Sequence, residues 1–256
     1  MRRRLLTSGH NSDFRRLLAL RDRRSERYSE RRFLVEGPRF VHDAARYQRP
    51  ERLVVSESSE LILDLPDSDE CIVLGDVLFR RLSGTDTPQG LIGVFTFPEV
   101  AIGGDHALLD LWADGVQDPG NLGTMIRSAA ALGATSVVCG TGTVDPFAPK
   151  VVRSAAGAHF QVAIRSDNLD DLMIEGMQIV VLDGGSSVPI HAVDLALPTA
   201  LVVGSEAHGV TAAVRNWPNL VSAAIPMTGG VESLNAGVAA SIVLYEASRQ
   251  RRMVAE

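Results

Sequence analysis

The chain is 256 residues long, 45% hydrophobic and 22% charged, with a net charge of −6, ordinary values for a soluble globular protein with room for one or two buried cores. No stretch approaches the roughly 20 apolar residues that a bilayer span requires. The basic start, Met1-Arg-Arg-Arg-Leu-Leu, lacks the apolar run of a secretion signal, so a cytoplasmic location without a membrane partner is expected.

The charge is unevenly spread. Residues 1–52 carry 15 arginines against 7 acids, a balance of +8, and the remainder carries 10 basic against 24 acidic residues, a balance of −14. A basic arm on an acidic body points to a polyanion partner, although solvated Arg/Glu-rich helices produce the same composition. Cys71 and Cys139 both lie in apolar, strand-like runs, so buried reduced thiols are expected. The six histidines show no metal spacing, and no metal is expected.

In chain order, Asp13 to Arg32 reads as one charged helix. Phe33-Leu-Val-Glu-Gly-Pro-Arg39 reads as a short strand turning into a helix that continues to Ala45. Arg52–Ser56 and Glu70–Leu74 read as strands, Val77–Leu82 as a helix and Gly90–Phe97 as a last strand. Together these predict a small α/β domain over residues 1–97, followed by a linker at 98–106 that contains Gly103-Gly104. From 107 to 256 strand and helix alternate. Strands are expected at Ala107–Val116, Thr135–Cys139, Gln161–Ile164, Gln178–Leu182, Ala200–Val203 and Ala223–Ile225. Helices are expected near 121–132, 147–157, 168–176, 210–216 and 234–252. That alternation predicts a parallel sheet covered by helices on both faces.

Three loop motifs sit at strand ends, where α/β proteins bind ligands. In the first, Asn121-Leu-Gly-Thr-Met-Ile-Arg127, Asn121 reads as a helix N-cap. Arg127 shares a helix face with Gly123 and leans back toward the helix mouth, where free N–H groups favour an anion. This is the pattern of a ribose-phosphate site, or of a capped surface helix with an incidental arginine. In the second, Gly204-Ser-Glu-Ala-His-Gly209, the glycine spacing matches a nucleotide P-loop. Val210 and Thr211 follow, however, and without the P-loop lysine that reading fails. Glu206 is left either to hold a polar ligand or to cap the next helix. In the third, Ile225-Pro-Met-Thr-Gly-Gly-Val-Glu-Ser-Leu-Asn235, Ser233 reads as the N-cap of the terminal helix. Small residues from 236 to 241 then suit close packing, against a second subunit or simply within the core. Gly237 inside that helix costs about 1 kcal/mol relative to Ala unless such packing offsets it. Lys150 and Arg153 edge a helix that suits phosphate or solvent equally well.

In this order the three motifs resemble the SpoU (TrmH) branch of the SPOUT methyltransferases, over roughly residues 107–252, with the Ile-Pro-Met to Ser-Leu-Asn segment the most specific part. Phe33-Leu-Val-Glu-Gly-Pro-Arg39 and the domain after it are similar, more loosely, to the small RNA-binding domain of many members. The resemblance implies a parallel α/β sheet with a C-terminal trefoil knot, a homodimer, and transfer of a methyl group from S-adenosylmethionine to an RNA ribose 2′-hydroxyl. Ribosomal RNA is the expected substrate; a transfer RNA or a non-catalytic role in ribosome assembly is the alternative. By motif position, Gly204, Ile225, Met227 and Leu234 correspond to the donor pocket. Arg127 corresponds to the catalytic arginine, surrounded by Asn121, Glu206, Ser233 and Asn235.

Overall fold

A computed structural model describes residues 1–59, 64–101, 108–166 and 177–255. The expected helix at 168–176 and most of the expected linker at 98–106 lie outside the described residues. Its contacts divide the chain into two units, Met1–Glu99 with Phe147–Phe160, and Val100–Pro146 with Gln161–Glu256.

The first unit contains β1 (Arg2–Leu6), α1 (Ser12–Asp22), α2 (Arg24–Glu30), β2 (Arg32–Glu36), α3 (Pro38–Ala45), β3 (Arg52–Ser56), β4 (Glu70–Leu74), α4 (Asp76–Leu82) and β5 (Leu91–Thr96). The strands form one sheet in the order β1-β4-β3-β5-β2. The strands β1, β4 and β3 are mutually parallel, and β5 runs antiparallel to both β3 and β2. Two features depart from the sequence reading. Strand β1 is an edge strand made mostly of arginines, and Arg4 pairs with Asp13 at 2.7 Å and Glu70 at 3.1 Å. The single expected helix is two helices, broken where Arg23 turns extended (φ −118°, ψ 120°). The buried guanidinium of Arg27 supplies the cause. Its Nη1 donates to the carbonyls of Leu20 and Arg21 at 2.7 and 2.8 Å, satisfying oxygens that the end of α1 leaves open.

Because strand residues alternate between faces, Leu34 and Phe33 serve opposite sides of the sheet. Leu34 joins Phe14, Leu17, Val54, Ile72, Phe79 and Ile92 in a hydrophobic core. Fully buried Phe33 faces an aromatic cluster, to which α6 (Pro149–Ala155) and the 3-10 turn Ala158–Phe160 bring much later residues. Phe33 lies 5.1 Å from Phe147 and 5.8 Å from Phe160, ring centre to ring centre, and Phe97 stacks on Phe147 at 3.8 Å. Beside them Glu36 accepts from the Ser83 hydroxyl, from Gly84 N at 3.0 Å and from Arg153 at 3.4 Å.

The second unit contains β6 (Leu109–Asp114), α5 (Pro119–Leu132), β7 (Ser136–Cys139), β8 (Ala163–Arg165), β9 (Gln178–Leu182), β10 (Thr199–Gly204), α7 (Ala212–Arg215), β11 (Val221–Ala223) and α8 (Ala236–Ala255). All six strands are parallel, in the order β11-β9-β10-β6-β7-β8, as the alternating pattern predicts. Their carboxyl ends therefore share one side of the sheet, and Gly204 ends in register with Asp114. Cys71 and Cys139 are buried.

Helices α5 and α8 pack together closely. The Ser128 and Ser241 hydroxyls lie 2.7 Å apart. A Cβ on Gly237 would stand 3.0 Å from Thr124 Cβ and 3.2 Å from Asn121 O. The neighbour that makes this glycine useful is α5, which lifts the entry of α8 toward Asn121.

Phe33→Ala is expected to destabilise the first unit by about 3–5 kcal/mol, read by urea unfolding. A loss below about 1 kcal/mol would contradict the role of the aromatic cluster as the core of that face.

Candidate functional site

Helix α5 begins three residues earlier than its motif suggests. Asp118, not Asn121, is the N-cap, and its carboxylate accepts from Asn121 N at 2.8 Å, with Pro119 in the first turn. Relieved of capping, the Asn121 side chain turns toward the loops; only 7% of the residue is exposed. A matching correction applies to α8. Ser233 is not the cap; Asn235 Oδ1 accepts from Val238 N at 3.2 Å, and Ala239 N donates to the Asn235 carbonyl.

Between these helix starts lies the second motif. Ser205 N donates to Gly209 O at 3.0 Å and Gly209 N to Ser205 O at 2.8 Å, pinching the loop shut. A side chain at 204 has no room there: its Cβ would stand 2.2 Å from Gly209 C and 2.4 Å from Val210 N. Gly209 itself has φ +67°, the left-handed region that favours glycine.

The loop presents Glu206, whose Oε1 accepts from Asn121 Nδ2 at 2.8 Å, Asn235 Nδ2 at 3.1 Å and Ala236 N at 3.2 Å. Asn235 Nδ2 also donates to Asn121 Oδ1 at 2.8 Å. Glu206 does not cap the helix that follows its loop, which Thr211 caps; it caps α8, thirty residues away, and binds both asparagines.

Beside this network lies an open cleft. One wall is Val203, Gly204, Ser205, Glu206 and Gly209; another is Leu182, Asp183 and Gly184 at the end of β9; the third is Ile225, Met227, Glu232, Ser233 and Leu234, with Ala236 and Ala239 of α8. Gly204, Ile225, Met227 and Leu234, the four that motif position assigns to a donor pocket, all line it, and so do Glu206 and Ser233, which motif position sets around Arg127. Asp183, Gly184 and Glu232 were not anticipated. Leu182-Asp-Gly-Gly185 at the end of a parallel strand was the available signal. With Glu206, two of them give the cleft three carboxylates and no basic side chain among its lining residues.

Arg127 stands apart. It is exposed on α5, six residues past Asn121 and so about 9 Å further along the axis. It has no hydrogen-bond or ion-pair partner among the described residues. No group of His, Cys, Asp and Glu among the described residues is placed to hold a metal ion.

Residues 109–245 match the family model described as the SpoU rRNA methylase family, and residues 11–93 match the MRM3-like substrate binding domain. The chain belongs to the SpoU rRNA methylase family. Among its relatives, the 23S rRNA (guanosine(2553)-2′-O)-methyltransferase RlmP of Bacillus subtilis is 35% identical over 227 residues, 87% of this chain and 90% of that protein. The mitochondrial rRNA methyltransferase 3 of mouse is 29% identical over 90% of this chain and 70% of its own. Among solved structures, the SpoU methyltransferase AviRb of Streptomyces viridochromogenes in complex with AdoMet superposes with a TM-score of 0.83 at 29% identity, covering 95% of this chain and 99% of AviRb. The AdoMet-bound rRNA methyltransferase of Sinorhizobium meliloti gives 0.82 at 27% identity, covering 96% and 98%. In this SpoU protein the three loop motifs are thus joined by hydrogen bonds and pocket walls, with Arg127 outside the network.

Gly204→Ala must reopen the pinched loop, because the atoms it meets are backbone. It is expected to weaken S-adenosylmethionine binding about tenfold or more in calorimetry while circular dichroism stays unchanged. Undiminished affinity would show that the pinch does not shape the pocket.

Proposed function

We propose that the protein is an S-adenosylmethionine-dependent RNA ribose 2′-O-methyltransferase acting on ribosomal RNA. The observation that carries this reading is the convergence of two SpoU motifs on one cleft, with the third tied to it through the Asn121–Glu206 hydrogen bond and carrying an unpartnered arginine. The residues present fit the methyl donor. Ile225, Met227, Leu234 and Val203 offer apolar walls and the glycine loop offers backbone edges, which is what an adenine ring requires. Asp183, Glu206 and Glu232 suit a ligand with cationic sulfonium and ammonium groups.

The bound donor supplies an electrophilic methyl group. The protein must hold the ribose oxygen in line with it, and alignment of this kind is worth roughly 7–11 kcal/mol. Arg127 presents hydrogen-bond donors and no acceptor. Its role is to hold the ribose or a neighbouring phosphate and to stabilise the developing alkoxide. The hydroxyl proton leaves to another acceptor or to water as the O–CH3 bond forms and the S–CH3 bond breaks.

Ribosomal RNA rather than transfer RNA is favoured by the match to a substrate-binding domain over residues 11–93 and by the names of relatives aligned along most of the chain. The surplus of arginines over residues 1–52 supplies the electrostatic footprint for the RNA backbone. The homodimer is supported by Val238, Ile242 and Tyr245, exposed at 46%, 38% and 55% on α8, whose spacing puts them on one stripe. The trefoil knot is supported by β10, which lies between β6 and β9, and by α8, which packs on both α5 and β10. The two cysteines, both buried, suit a reducing cytoplasm.

The test is transfer of a tritiated methyl group to ribosomal RNA, with the 2′-O-methyl position mapped. Arg127→Ala is expected to lower transfer about 100-fold or more, yet leave donor affinity within about threefold. Loss of donor binding in that variant would contradict the role given to Arg127.

A further inference from the structure

The buried carboxylate of Asp114 has no part in the three motifs, yet it holds one of them. Asp114 is the last residue of β6, only 2% exposed, and stands in register with Gly204. Its Oδ2 accepts from Thr211 N at 2.5 Å and its Oδ1 from the Thr211 hydroxyl at 3.3 Å. Both oxygens therefore grip one residue, which lies just past the loop carrying Glu206. Thr211 in turn caps α7, its hydroxyl oxygen accepting from Val214 N at 3.5 Å. The loop from 204 to 211 is thus fastened twice at its base, by the Ser205–Gly209 backbone pair and by Asp114.

A buried carboxylate is costly unless hydrogen bonds satisfy it, and an aliphatic residue at this position would fill the space at lower cost. What such a residue cannot do is fix Thr211 by two bonds of defined direction. We infer that Asp114 is a positioning residue for methyl transfer: it locks the return of the loop, so that Glu206 meets Asn121 and Asn235 and Gly204 keeps its place in the cleft wall. Asp114 does not line the cleft and acts only through the loop. The inference rests on the proposed methyltransferase function and assigns that site one further determinant.

The experiment compares Asp114→Ala, Asp114→Asn, Thr211→Val and Thr211→Ser for donor affinity by calorimetry, for kcat and for KM toward RNA. Asp114→Ala is expected to weaken donor binding and lower kcat about tenfold or more, with KM for RNA changed less than about twofold. Asp114→Asn is expected to recover most of the loss, since its amide oxygen accepts from Thr211 N–H and its amide nitrogen donates to the Thr211 hydroxyl. Thr211→Ser should match the parent and Thr211→Val should fall between. Combined with Glu206→Ala, the effect of Asp114→Ala on kcat should shrink, because both act through one loop.

If Asp114→Ala does not fold, Thr211→Val carries the test, and parent-like donor affinity and kcat in that variant would overturn the inference. So would a folded Asp114→Ala with parent-like values, or strict additivity with Glu206→Ala. An inactive parent protein that binds no donor would instead refute the functional reading itself.

Discussion

One carboxylate oxygen, Oε1 of Glu206, ties together parts of the chain 85 and 30 residues away. It meets the first free N–H of α8, where the helix dipole favours negative charge, and takes an amide N–H from each of two asparagines. Those amides have one consistent orientation. Asn235 Nδ2 donates to Asn121 Oδ1, Asn121 Nδ2 donates to Glu206, and Asn235 Oδ1 caps its own helix. Every polar atom of the two side chains is thereby committed, and the relative placement of α5, α8 and the glycine loop follows from the bonding. Arg127, on the same helix as Asn121, lies outside the network.

The parallel sheet makes this convergence possible. All its strands end on one side, so loops that are distant in sequence become neighbours without any long excursion. Gly204 lets β10 turn back against Gly209 with no space lost to a side chain, and Asp114 at the end of the adjacent strand secures the returning segment. The closeness of α5 and α8 at Gly237 brings Asn121 within reach of Asn235. The helix start, the pinch and the strand end are ordinary local devices, and the site is their sum.

Most of the second unit was legible in the sequence because strand and helix patterns alternate with short, glycine-marked turns. The cleft was legible in part. Gly204, Ile225, Met227 and Leu234 announce themselves by motif, whereas Asp183 and Glu232 become relevant only once β9 and the loop after β11 are seen to face the same space. Cap positions were misread for a simple reason: Asn121 and Ser233 both have capping side chains, but Asp118 and Asn235 stand where the helices begin. In the first unit, β1 was hidden because three arginines in a row carry no strand signature, and its pairing with β4 exists only in the folded chain. The break between α1 and α2 was hidden too, since it depends on a buried arginine reaching back to carbonyls one helix earlier. The packing of Phe147 and Phe160 around Phe33 is a long-range contact that no local pattern encodes.

The proposed methyl transfer requires the cleft between the 204–209 loop, the end of β9 and the 225–234 loop to be the donor site. A crystal structure of the protein with S-adenosylmethionine tests this most directly. The donor is expected against Gly204, Ile225, Met227 and Leu234, its sulfonium near the carboxylates of the cleft and its methyl group open toward the Arg127 side of α5. A donor bound elsewhere, with this cleft empty, would contradict it.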